Sequence, residues 1–207
     1  MLPVVVAFEL DTPHGPARAH LHPAEEPVGA LVLGHGAGGG VSAPDLVVAT
    51  EAALAANVSV ALVEQPYRVA GRKSAAPAHQ LDAAWIAVMK ALRADALQGL
   101  PLITGGRSSG ARIACRTAAE TSAAAVLCLA FPVHPPGKAG DPSKSRLYEL
   151  EAVLVPVLVV QGEKDPFGMP PDAKGRTVVK VPGNHGLKTT APVREAVSDW
   201  LAKGVPL

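Results

Sequence analysis

The sequence predicts an α/β protein: a mainly parallel sheet with helices on both faces. Three observations carry this. Short runs rich in Val and Leu alternate with segments of helical spacing, and strands alternating with helices build parallel sheets. The 207 residues are 48% hydrophobic and 18% charged, which suits one domain over 1–207 with a sizeable core. The 20 glycines and 20 prolines lie between the periodic segments, as punctuation, and do not form low-complexity tracts.

Val4–Leu10 and Arg18–His22 read as an opening strand hairpin, and Ala30–Leu33 as a buried strand ending in a glycine loop. Pro44–Ala56 has helical spacing, with Leu46, Val47, Thr50, Ala53 and Leu54 on one side. Val58–Glu64 is a strand. Ala78–Leu97 is an amphipathic helix whose Leu81, Trp85, Val88, Met89 and Leu92 share a face. Leu100–Thr104 is a strand, Ser109–Ser122 a helix, and Ala124–Phe131, Val155–Gln161 and Arg176–Val181 are strands. Pro192–Lys203 closes the chain as a helix, with Pro192 near its start and Gly204 after its end. No internal repeat or interdomain linker stands out. The longest irregular stretch is Pro132–Val153, long for a connection and therefore a candidate for a functional loop.

Composition excludes several classes. The formal net charge is +1, with no basic stripe or aromatic ladder, so no nucleic-acid partner is expected. No apolar run reaches the roughly 20 residues of a membrane span. The N-terminal "MLPVVVAFEL" lacks a basic leader and soon meets Glu9 and Asp11, unlike a signal peptide; a soluble cytoplasmic protein is expected. Cys115 and Cys128 sit among apolar residues and read as reduced core residues, since a disulfide framework needs more cysteines and a zinc site needs closer spacing.

In such sheets, sites lie beyond the carboxyl ends of the strands. Gly106–Gly110, "GRSSG", fits G-x-S-x-G with Ser108 at its centre, between an apolar strand and a helix. A sharp strand-to-helix turn exposes the hydroxyl and demands small residues two positions either side. The bland alternative is a plain glycine turn. Asp165, in "VLVVQGEKDPFG", follows a strand end, with Glu163 and Asp172 as rival acids. His185, in "VVKVPGNHG", follows the last short strand. Taken singly, these are a turn Asp and a loop His. As a set they give serine, acid and histidine in that order, each past a strand, as nucleophile, orienting carboxylate and base need. The loop "LVLGHGAGGG" is expected to supply an oxyanion donor, the N–H of Ala37, beside that of Ser109 at the helix start. Its His35 is expected to hold the loop. Gly34, Gly36 and Gly39 also satisfy G-x-G-x-x-G, but Glu64 lies too far along for a dinucleotide site. No cofactor and no metal is expected.

These motifs together resemble the α/β-hydrolase superfamily across nearly the whole chain. More narrowly, "GGRS", "FPVHPPGK" and "QGEKDPFG" are similar to a small lidless branch related to dienelactone-hydrolase-like proteins and to the third subunit of the NSL chromatin complex. The resemblance implies an α/β-hydrolase fold with a minimal lid and a serine hydrolase cleaving a small-molecule carboxylic ester or thioester through an acyl-enzyme. The alternative is a non-catalytic scaffold or interaction protein of the same fold. His134, Lys138, Lys144 and Arg146 make the Pro132–Val153 loop basic, either as a solvated face or as a feature favouring acidic acyl or leaving groups.

Overall fold

The computed structural model describes residues 5–139 and 141–203. The expected features at Val4, Gly140 and Gly204 lie outside them. One eight-stranded sheet runs in the order β1-β2-β4-β3-β5-β6-β7-β8. Its strands are β1 (Val6–Leu10), β2 (Ala17–His22), β3 (Gly29–Gly34), β4 (Val58–Glu64), β5 (Leu102–Arg107), β6 (Ala125–Leu129), β7 (Val157–Gly162) and β8 (Arg176–Val181). β2 pairs antiparallel with β1 and β4, and every other pairing is parallel.

Successive strand residues face opposite sides, and along the central strands β3 to β7 both sides are dry. On one side Leu31 and Leu33 of β3 and Leu127 and Leu129 of β6 pack under α1 (Pro44–Ala55) and α6 (Thr190–Ala202). On the other, Ala30 and Val32 of β3 meet Trp85 and Met89 of α3 (Ala78–Ala94). Farther along that side, Val126 and Cys128 of β6 meet Ala111 and Cys115 of α4 (Ser109–Arg116). The near-continuous apolar strands read in the sequence are thus those of a sheet covered on both faces.

Several boundaries move for local reasons. α3 stops at Ala94, and a turn returns Leu97 to the core. α4 stops at Arg116, short of Ser122: the hydroxyls of Thr117 and Thr121 bond back to Ile113 and Thr117 carbonyls, and turns replace the helix. On α1, Val47 faces solvent while Asp45 turns inward, the reverse of the apolar reading. α6 begins at Thr190, so Pro192 sits in its first turn, where its missing N–H costs nothing. α2 (Pro66–Val69) was not expected. Among the described residues between β6 and β7 there are a single 3₁₀ turn at Pro142–Lys144 and α5 (Leu147–Glu151), and no helical lid over the strand ends.

Candidate active site

The turn from β5 into α4 carries Ser108. Its backbone sits at φ 53°, ψ −105°, a strained conformation for a residue with a side chain. Two anchors hold it there: the Ser108 N–H donates to Leu129 O at 2.9 Å, and its own carbonyl accepts from Arg112 N at 3.2 Å to begin the helix. A Cβ on Gly106 or on Gly110 would approach the Gly34 carbonyl closer than carbon and oxygen can. The three segments therefore close up only because both flanking positions are glycine, which is the steric demand read in G-x-S-x-G.

Asp165 and His185 arrive on the loops after β7 and β8. Those loops are stitched together by Glu163 N donating to Val181 O and Lys164 N to Gly183 O, each at 2.9 Å. His185 Nδ1 lies 2.8 Å from Asp165 Oδ2, and Nε2 lies 3.0 Å from Ser108 Oγ. The Asp165 carboxylate is 1% exposed and accepts from Phe167 N–H and from the Gln161 amide, both at 2.8 Å. With a carboxylate accepting at Nδ1, the ring carries its proton there, and the Nε2 lone pair faces the hydroxyl. Phe167 packs edge-on to the imidazole at 4.4 Å between centroids. The rival acids lie elsewhere: Glu163 is exposed, and Asp172 accepts from Val178 N.

The glycine loop after β3 stands opposite. His35 Nε2 accepts from Gln65 N–H at 3.1 Å, so the proton sits on Nδ1, which donates to Gly36 O at 2.8 Å. Burial pushes this imidazole below the ordinary histidine range, which keeps it neutral. Tyr67 of α2 donates to Ala37 O at 2.9 Å, fixing the next peptide as well. Among the described residues, no protein acceptor takes the Ala37 N–H. Ala37, Ser108, Ser109, Phe167 and His185 line one cavity of about 410 Å³, open to solvent and walled on one side by Pro132, Pro136 and Arg146.

Sequence reasoning missed three supports. Gln161, fully buried at the end of β7, donates its amide to Asp165, Phe131 O and Gly168 O; its signal was a lone polar residue in an apolar strand. Arg107, the unspecified residue before the serine, pairs with buried Asp45 at 3.3 Å and donates to His185 O at 3.1 Å. Burial pushes the Asp45 carboxyl above its usual range, and Arg107 opposes this. Tyr67 sits on a helix too short for any periodicity to announce.

A family model described as an alpha/beta hydrolase domain matches residues 27–190. No curated protein matches the chain in sequence. Among solved structures, the chain is similar to XC6422 from Xanthomonas campestris, described as an a/b serine hydrolase without lid, at 19% identity and a TM-score of 0.77, covering 98% of this chain and 96% of that one. It is also similar to Est1E from Butyrivibrio proteoclasticus, at 18% identity and 0.75, covering 97% and 99%. A dienelactone hydrolase from Anabaena variabilis aligns at 17% identity and 0.72, covering 99% and 98%. With the family model spanning most of its length and the fold shared end to end with these structures, the chain belongs to the α/β hydrolase domain family.

Proposed function

We propose that this protein is a serine hydrolase that cleaves carboxylic esters or thioesters. The observation that carries the reading is the unbroken relay from Ser108 Oγ through both nitrogens of His185 to Asp165 Oδ2. Ser108 Oγ attacks the carbonyl carbon while its proton passes to His185 Nε2. The carbonyl oxygen takes up the negative charge and is met by the N–H groups of Ala37 and Ser109, the latter at the positive end of α4. His185 then gives its proton to the departing alcohol or thiol, leaving an acyl group on Ser108. Water, deprotonated by the same nitrogen, releases the acid and restores the hydroxyl. Asp165 and Gln161 keep the imidazole in the tautomer both half-reactions need.

The open cavity and the missing helical lid favour small or protruding esters over long buried chains. The dienelactone hydrolase among the similar structures is consistent with ester hydrolysis on this fold.

A fluorophosphonate probe tests the reading. The folded protein should take one adduct, on Ser108, and a panel of esters and thioesters should be turned over by wild type and not by Ser108→Ala. A folded protein that takes no adduct would favour the scaffold alternative. p-Nitrophenyl acetate should outpace long-chain p-nitrophenyl esters, and a strong preference for long chains would count against the open-site reading.

A further inference from the structure

The cavity before Ser108 has a one-sided charge. Arg107, Arg112, Arg116 and Arg146 all contribute to its wall, and no Asp or Glu does. The carboxylates that answer these cations stand behind them. Asp45, fully buried, takes Arg107. Glu149, also fully buried, holds Arg112 through both oxygens at 2.8 and 2.6 Å and touches Arg116 at 3.1 Å. Asp82 takes Arg116 through both oxygens at 2.8 and 2.6 Å. Four guanidinium groups thus face three carboxylates. Arg146 is the one left over: among the described residues no carboxylate lies within 4 Å, and its side chain meets only the His134 carbonyl, at 3.5 Å.

Arg146 is nonetheless held in place. Its N–H donates to Val133 O at 2.8 Å, and its carbonyl starts α5 by accepting from Glu149 N. Of the basic loop residues, Lys138 and Lys144 are exposed and outside the cavity wall, while Arg146 is half-buried within it. Burial first, and then the neighbouring Arg112, push its guanidinium below its usual range, and the more distant Glu149, already taken by Arg112 and Arg116, only partly opposes them.

We propose that the cavity takes an ester carrying a second, anionic group, a carboxylate, which Arg146 binds beside Arg112 while Ser108 meets the ester carbonyl. A planar guanidinium matches a carboxylate in two-point contact, and a half-dry wall strengthens it. The ester half of this inference rests on the hydrolase reading; the carboxylate half does not.

The test compares charged and neutral substrates of equal length. Mono-p-nitrophenyl adipate against p-nitrophenyl hexanoate places the anion on the acyl side. Para-carboxybenzyl acetate against benzyl acetate places it on the alcohol side. Wild type should favour the anionic member of one pair by about tenfold or more in kcat/KM, the size of one charge-assisted contact. Arg146→Ala should erase most of that ratio, chiefly through KM. Arg146→Lys should recover part of it, and added salt should lower it in wild type. Ratios at or below one for both pairs, or a ratio unmoved in Arg146→Ala, overturn the proposal. Calorimetry with adipate on folded Ser108→Ala protein reads the anion site without turnover. Binding that disappears in Ser108→Ala/Arg146→Ala supports the site even where no ester is cleaved. Adipate that fails to bind, or that binds equally to both proteins, removes it.

Discussion

Two histidines, His35 and His185, make an instructive pair. Each follows the carboxyl end of a parallel strand, β3 and β8, and each has both ring nitrogens engaged within 3.1 Å. Their partners differ in kind. His35 bridges a backbone carbonyl and a backbone N–H, is 2% exposed, and gains nothing by exchanging its proton. His185 bridges a carboxylate and a hydroxyl, and its side chain is 17% exposed at the cavity. Position after a strand is common to both. What separates the two rings is that His185 has a partner able to give up a proton and a cavity open to it, and His35 has neither.

The largest expected difference lies between their alanine variants. His185→Ala should slow ester turnover by about three orders of magnitude or more, since serine without its base is a poor nucleophile. Denaturant midpoints should move less, because the ring borders the open cavity, where water can take its place. His35→Ala should do the opposite: it strands the buried Gln65 N–H and the Gly36 carbonyl and should cost roughly 1–3 kcal/mol of stability. Fluorophosphonate labelling rates and denaturant unfolding on the two proteins separate these effects. The contrast fails if folded His35→Ala is as inactive as His185→Ala.

Next in size come the residues that hold the relay. Gln161→Leu removes a donor from the Asp165 carboxylate at 2.8 Å and should lower kcat by about tenfold or more, the worth of one charge-assisted bond, with less effect on KM. Arg107→Lys keeps a cation beside Asp45 but loses the fork that also reaches His185 O, so its effect should be smaller. A Gln161→Leu enzyme with unchanged kcat would show that Phe167 N–H alone orients the acid.

The same split explains what the sequence made legible. The sheet was readable because strands dry on both faces have unbroken Val and Leu runs. The elbow was readable because Gly106 and Gly110 are demanded by contact with Gly34, a constraint local enough to fix a spacing. Ser108, Asp165 and His185 were readable as an ordered set after strands. β5 was cut short at Thr104 because Gly105 and Gly106 look like a loop, yet their backbones pair with β3 and β6 without side chains. Gln161, Arg107 and Tyr67 were hidden for other reasons. Arg107 and Tyr67 act through partners distant in sequence, and no local spacing encodes Arg107 meeting Asp45 across 62 positions, whereas Gln161 meets Asp165 four residues on and shows in the sequence only as a lone polar residue in an apolar strand. α2 and α5, of four and five residues, are too short for helical periodicity to appear.

The smallest expected effect concerns pH, and it follows from the same buried ring. Burial lowers the folded pKa of His35 from its ordinary 6.5, so below pH 6.5 the unfolded chain takes up a proton that the native ring refuses. Stability from this group is whole above 6.5 and is lost as pH falls from 6.5 through the folded value, by at most about 1.4 kcal/mol per pH unit. His22, lowered first by burial and then by His20, acts in the same direction. Asp45 acts in the opposite one: its raised folded pKa stabilises the native state at acid pH, and that stabilisation is lost as pH rises above its ordinary 3.8. Unfolding midpoints followed downward from pH 6.5 should therefore fall less steeply in His35→Gln than in wild type, with His22→Gln as the parallel arm. If His35→Gln keeps the full acid slope while His22→Gln loses it, the pH response belongs to the surface ring, and the contrast between the two strand-end histidines narrows to their partners alone.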